Sequence, residues 1–256
     1  MIKTDLHMHT VYCDGKNTVE EMVRSAINKG FNCVGISGHS YTCFDESYCM
    51  SRSDTEKYKK DISWLKRKYA KKISLLCGIE QDYYSDEPTG DYDYVIGSVH
   101  YLKINDSYIP VDENAEILKK ASEKYFNGDI YALCELYFET VSDVVTKTKA
   151  NIIGHFDLIT KFNEKDKLFD ENNTRYISAW KKSADKLLKT GKVFEINTGA
   201  ISRGYKTKAY PSESIINYIK ENGGHFILSS DAHSADTIGY EFEKYEKYID
   251  DVMIEL

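Results

Sequence analysis

Short apolar runs that end in histidine constrain this chain more than any other feature. His7 and His9 follow IKTDL, His39 follows FNCVGISG, and His100 follows YDYVIGSV. His155 follows ANIIG, and His233 follows HFILSSDA. Glu80 repeats the pattern after ISLLCGI. Runs rich in Val, Ile and Leu, bounded by glycine and polar residues, predict buried strands. Side chains able to ligate metal therefore stand where strands end. The seventh histidine, His225, precedes the run FILSS. It is expected at the other end of its strand, in a structural role.

The runs predict strands over 2–6, 32–36, 73–79, 93–99, 151–154, 192–197 and 225–229. Between them, helices are expected over 18–29, 54–71, 113–126, 129–148, 172–190 and 212–222. The first of these opens on TVEEM, a capping residue followed by acids. Strands alternating with helices imply a parallel sheet. One domain over residues 1–256 has the length of an α/β barrel. An open doubly wound sheet would use only one or two strand ends, at its switch point. Ligand-type residues at nearly every strand end favour a closed ring instead. The expected fold is an α/β, distorted (β/α)7 TIM-like barrel with a metal site at the C-terminal ends of its strands.

Composition removes several function classes. A net charge of -7 argues against general nucleic-acid binding. The basic run KRKYAKK reads as the solvated face of a helix. No apolar stretch approaches the roughly 20 residues that span a bilayer. MIKTDLHMHT lacks the apolar region of a signal peptide. The six cysteines form no CxxC pair and suggest no disulfide framework. A cytoplasmic protein is expected. Cys13, in a loop near the histidines, is given no catalytic role. There is no GxGxxG, no Walker loop and no GxSxG elbow. Ser229 and Ser230, near Asp231 and His233, could mimic a hydrolase triad. The surplus of histidines makes metal ligation the better account.

His7 and His9 would face one side of an extended strand. Glu80 can bridge two cations, and His100 and His155 suit Zn, Mn or Fe. Asp231 and His233 add two ligands one residue apart, and Asp14 adds an oxygen in the first loop. Two or three divalent ions would leave such a site positive, suited to hydroxide and to an anion such as phosphate. Structural zinc usually has four closed, Cys-rich ligands. Arg203, with Lys206 and Lys208 nearby, lies in a loop on the same face, and its guanidinium fork suits phosphate oxygens. Asp82, Asp86 and Glu87 form an acidic loop that could meet a cationic group on a substrate.

The ordered motifs DLHMHTVYCDG, SGHS, GIEQD, GSVHY, IGHFD and SSDAHS resemble those of the polymerase-and-histidinol-phosphatase (PHP) superfamily. INTGAISRGYKTKAYPS and GHFDLITKFN resemble its histidinol-phosphatase branch in particular. The resemblance runs from His7 to about Asp236. It implies a trinuclear centre. His7, His9, Glu80 and Asp231 would hold one ion, and Glu80 would bridge to a second on His100 and His155. Asp14, His39 and His233 would hold the third. Many superfamily members carry Asp before the histidine of the third-metal loop. Gly38 stands there instead, so a supporting carboxylate is absent. The implied activity is hydrolysis of L-histidinol phosphate to L-histidinol and phosphate, a step of histidine biosynthesis, by in-line attack of an activated water on phosphorus. Arg203 and His39 would contact the substrate, and Arg203, Asp231 and His233 would take part in the chemistry. The nearest rival is action on another small phosphomonoester or nucleotide. An amidohydrolase would be expected to place a metal-bridging Lys at a strand end, and none is found. A regulatory module of a larger assembly fits less well with the complete ligand set.

Overall fold

In the computed structural model, which describes residues 3–249, the apolar runs become strands. They are β1 (Thr4–Asp5), β2 (Cys33–Ile36), β3 (Ser74–Asp82) and β4 (Tyr94–Ser98), followed by a hairpin of β5 (Tyr101–Ile104) and β6 (Ser107–Pro110). β7 (Ile152–Ile153), β8 (Val193–Asn197) and β9 (Phe226–Ser229) follow. Seven of them pair in parallel in the order β1-β2-β3-β4-β7-β8-β9, and β5 pairs only with β6, antiparallel. The two outer strands meet through a parallel bridge between Met8 and Ala232. There the His9 N–H donates to Ala232 O at 2.9 Å, and the Ala232 N–H donates to His7 O at 3.2 Å. The expected seven-stranded distorted barrel is what the chain forms. Ile2, where the first strand was expected to begin, lies outside the described residues.

Alternation along the strands decides what fills the ring. Leu6, Tyr94, Ile96, Ile152 and Ile227, with Cys33, Leu76 and Val193 against them, form one cluster that draws on every barrel strand or its margin. This cluster is the barrel floor. Gly35 and Gly78 admit Tyr94, for a Cβ at Gly35 would lie 2.1 Å from its hydroxyl and one at Gly78 2.2 Å from its ring. The ring is anchored by its hydroxyl, which donates to Leu6 O. Two residues further along the same inward faces, the side chains become polar: Gly78 is followed by Glu80, Ile96 by Ser98, and Val193 by Glu195. The opposite faces, such as Phe194 and Ile196 of β8, pack under the helices.

The helices are α1 (Val19–Asn28), α2 (Arg52–Tyr69), α3 (Ala115–Phe126), α4 (Ile130–Val141), α5 (Val144–Thr148), the single turn α6 (Asn163–Asp166), α7 (Thr174–Leu188), the single turn α8 (Gly199–Ser202) and α9 (Glu213–Glu221). Thr18 and Glu21 form a reciprocal capping box on α1, as TVEEM suggested. Ser51 caps α2 by accepting from the Asp54 N–H, so this helix starts two residues before its expected position. The single helix expected over 129–148 is two. Ser142 ends α4 and its hydroxyl turns back to Glu139 O at 2.6 Å, so α5 starts afresh after Asp143. No helix among the described residues is long and apolar enough to cross a membrane. His225 lies exposed just before β9, at the end of the strand away from the ligands, and its carbonyl accepts from the Phe194 N–H.

Candidate metal centre

The polar layer above the floor converges on Glu80, which is 1% exposed. Its two carboxylate oxygens face different histidines. Oε2 lies 3.3 Å from His7 Nε2, 3.6 Å from His9 Nε2 and 2.8 Å from His39 Nδ1. Oε1 lies 3.0 Å from His155 Nε2 and 3.3 Å from His100 Nε2, and accepts from the Ser98 hydroxyl at 2.7 Å. Asp231 Oδ1 approaches the first group, 3.2 Å from His9 Nε2 and 3.8 Å from His7 Nε2. Asp14 gathers a further group. It stands 3.6 Å from His39 Nε2, 3.7 Å from His9 Nδ1 and 3.1 Å from His233 Nε2. All nine expected ligands are thus brought together.

The residues fit divalent ions. His7 Nε2, His9 Nε2 and Glu80 Oε2 are buried and have no hydrogen-bond partner. Buried polar atoms of this kind are costly unless something satisfies them. Ligands placed about 2.0–2.1 Å from a tetrahedral ion stand roughly 3.3 Å from one another, close to the spacing seen here. Three groups of ligand atoms have all members within 4.8 Å of each other: His9, Asp14, His39 and His233; His7, His9 and Glu80; and His39, Glu80 and His100. His9 and His39 therefore each sit between two groups, whereas the resemblance implied one ion for each.

Charge states follow the packing. Burial pushes His9 down to about 3, helped by His233 and His39, so the ring is neutral at neutral pH and one nitrogen keeps its lone pair. Burial would raise the Glu80 carboxyl, but His39, His7 and His100 hold it well below the usual range. Asp231 behaves likewise, held down chiefly by Arg203 and His7 against its burial. Burial pushes the Cys13 thiol up to about 12, so it is no thiolate ligand or nucleophile.

A cavity of about 330 Å³ opens on this cluster. One wall is Arg203, whose guanidinium donates to Asp231 Oδ2 at 3.0 Å and lies 2.6 Å from His233 Nδ1. The lining also carries Asp45, Tyr48, Tyr101, Asp112, Glu113 and Lys161. Tyr101 donates to Asp45 at 2.6 Å, and Phe44 stacks on Tyr108 with 3.6 Å between ring centres, which joins the loop after β2 to the β5–β6 hairpin.

The PHP domain model matches residues 5–199, more than half of the chain. The chain belongs to the PHP domain family. This PHP chain is 28% identical to the histidinol-phosphatase of Bacillus subtilis, over 96% of its own length and 98% of that protein. It is 27% identical to a Schizosaccharomyces pombe protein named "Probable histidinol-phosphatase", over 95% of its length and 85% of that protein. The solved structure of a Lactococcus lactis histidinol phosphate phosphatase, complexed with Zn, L-histidinol and phosphate, superposes with a TM-score of 0.74. At 21% identity it covers 97% of this chain and 92% of that one, and the likeness shows the same fold.

One carboxylate of this PHP domain was not expected from the sequence, and a second was expected in a different role. Glu195 is fully buried in β8 and accepts from His7 Nδ1 at 2.8 Å and from the His155 N–H at 2.6 Å. The signal was available: in VFEIN, Glu195 alternates with Phe194 and Ile196 and so must face the ring interior. Asp82 was expected in an acidic loop that could meet a cationic group on a substrate. It is instead the buried last residue of β3, 3.3 Å from His100 Nδ1. Asp86 pairs with Lys147 and Glu87 with Arg52, and neither lines the cavity. Of the two lysines near Arg203, Lys206 is buried, donates to Thr160 at 2.6 Å and lies outside the cavity lining, and Lys208 is exposed. Gly38 accepts from the Glu80 N–H, and a Cβ there would press on Met50 at 3.1 Å. The space a carboxylate would take is thus packed with sulfur and methyl.

Proposed function

We propose that this protein is a metal-dependent phosphomonoesterase that hydrolyses L-histidinol phosphate to L-histidinol and phosphate, a step of histidine biosynthesis. The observation that carries the reading is Glu80, a single buried carboxylate whose two oxygens address two separate histidine groups beneath an arginine-walled cavity. The names of the relatives support the same substrate.

We assign the ligands as His7, His9, Glu80 and Asp231 for one ion, Glu80, His100 and His155 for a second, and Asp14, His39 and His233 for a third. Divalent Zn, Mn or Fe bound there would supply positive charge to the phosphate oxygens and make water acidic enough to attack phosphorus. Charge supports three ions over two. Two ions with Arg203 only balance Asp14, Glu80, Asp82, Glu195 and Asp231, whereas a third leaves the site positive for an anion.

The chain's own groups divide the remaining work. Arg203 offers guanidinium N–H groups to two phosphate oxygens, oriented by its bond to Asp231. His39 lines the cavity between Asp14 and Glu80, within reach of the same phosphate. Asp231 stays anionic, held by Arg203, so it serves as a ligand and has no proton to donate. His233 lines the cavity with its Nδ1 2.6 Å from Arg203, and so helps place the guanidinium beside the phosphate. The rest of the lining suits a cationic organic group. Lys161 is committed to Asp112 at 3.1 Å, while Asp45 and Glu113 leave the wall acidic.

Phosphate release with added Zn or Mn tests this directly. Specificity (kcat/KM) for L-histidinol phosphate should exceed that for sugar or nucleotide monophosphates by at least about tenfold, or ~1.4 kcal/mol. Equal rates across the panel would sink the substrate assignment, and no release from any ester would sink the phosphatase reading.

A further inference from the structure

Each ligand histidine has a second ring nitrogen, and what that nitrogen touches decides which way the ring presents its lone pair. For His100 the partner is Asp82, which reaches the ring at 3.3 Å and the backbone N–H of the same residue at 3.2 Å. For His9 it is the Cys13 sulfur, at 3.6 Å. Both are local arrangements that touch one ligand. Glu195 differs. Its Oε2 takes the His7 ring, on the segment after β1, while its Oε1 takes the backbone N–H of His155, on the segment after β7. The same Oε1 accepts from Asn197 Nδ2 at 2.9 Å, and that amide also reaches Asp231 Oδ2 at 3.4 Å. Three donors and no acceptor surround Glu195, which only a carboxylate can satisfy.

We infer that Glu195 is a positioning residue that couples two of the ligand groups, fixing His7 with its proton on Nδ1 and its lone pair toward Glu80, and at the same time seating His155 on the far side of Glu80. The inference rests on the metal reading above and extends it to a group that holds no ion itself. Because Oε1 serves two donors, an amide at position 195 cannot serve all three. With its oxygen kept toward His155 and Asn197, its NH2 would face His7 Nδ1 and force the proton onto Nε2, where the ion should bind. With its oxygen toward His7, the NH2 would meet two other donors.

Glu195→Gln tests the coupling, with Asp82→Asn as the comparison. Removing a partner that orients a ligand typically costs about 10–100-fold in metal affinity. Glu195→Gln, titrated with Zn, should lose affinity by that factor in the step filled by His7, His9, Glu80 and Asp231. Asp82→Asn should weaken a different step and leave the His7 signals in place. Nitrogen-15 spectra of the Zn-loaded wild-type protein should show a hydrogen-bonded, slowly exchanging proton on His7 Nδ1. That measurement stands even if the variant does not fold. A His7 ring without that proton, or a folded Glu195→Gln protein with wild-type affinity in every step, overturns the inference. A uniform loss in all steps together with loss of cooperative melting also overturns it, as it would mean a folding role. A wild-type chain that binds no Zn would instead overturn the metal reading itself.

Discussion

Gly199 stands directly against Asp231: a Cβ at position 199 would lie 2.8 Å from both the Cβ and Oδ2 of the aspartate. Asp231 has little room to retreat, because Arg203 and Asn197 hold Oδ2 from other directions. Gly199→Ala should therefore displace the carboxylate and lower turnover by about tenfold or more, equivalent to ~1.4 kcal/mol in the barrier. Steady-state kinetics on the folded variant checks this, and wild-type turnover would remove Asp231 from the chemistry.

Arg203→Ala should raise KM for a phosphomonoester more than it changes metal content. Hydrogen bonds to charged groups contribute about 1.5–3 kcal/mol, which corresponds to roughly a tenfold to hundredfold rise. Arg203→Lys keeps the charge but not the fork, and should recover only part of the loss. Elemental analysis beside the kinetics separates the two effects; an unchanged KM would take Arg203 out of the substrate site.

Chelation should lower the melting temperature. An ion bound to the native state at 1,000 times its Kd adds about 4 kcal/mol, and each kcal/mol shifts a chain of this size by roughly 2–4 °C. Calorimetry with EDTA and then with restored Zn or Mn should show a drop of about 10 °C and its recovery. Identical melting curves would mean that the buried cluster is satisfied without ions.

Gly78→Ala addresses the barrel floor rather than the metal centre. The new methyl would meet the Tyr94 ring at 2.2 Å, and the ring cannot swing away because its hydroxyl is held by Leu6 O. Overpacking of this kind typically costs about 1–3 kcal/mol. Urea denaturation should show that loss, while activity per folded molecule stays close to wild type. Lost activity without lost stability would mean that the floor and the site are not separable layers.

The ligands were legible because each of their strands ends in an apolar run, so order along the chain translated into position on the barrel. Glu195 was not read, although VFEIN contains its alternation, because attention to strand ends passes over a charge in mid-strand. Asp82 was misplaced for a related reason. β3 runs through Glu80 to Asp82, so a residue that reads as the start of a polar loop is still inside the sheet. The β5–β6 hairpin was also missed. YLKI and SYIP flank an Asn-Asp turn with Asn105 at φ 55°, the signal of a hairpin between the strand at 94–98 and the next helix. Arg203 could be placed in the right loop from its sequence. Its two contacts, to residues 28 and 30 positions away, depend on the barrel closing.

The bridge between Met8 and Ala232 lies between His7 and His9 on one segment and Asp231 and His233 on the other. The seam of the ring and the heart of the metal centre are therefore the same few residues. During synthesis, a growing chain makes β1 through β8 before it reaches Asp231. Until then it holds histidines in plenty but no finished centre. Closing the ring therefore also completes the centre, because the group of His9, Asp14, His39 and His233 forms only when the two outer strands meet.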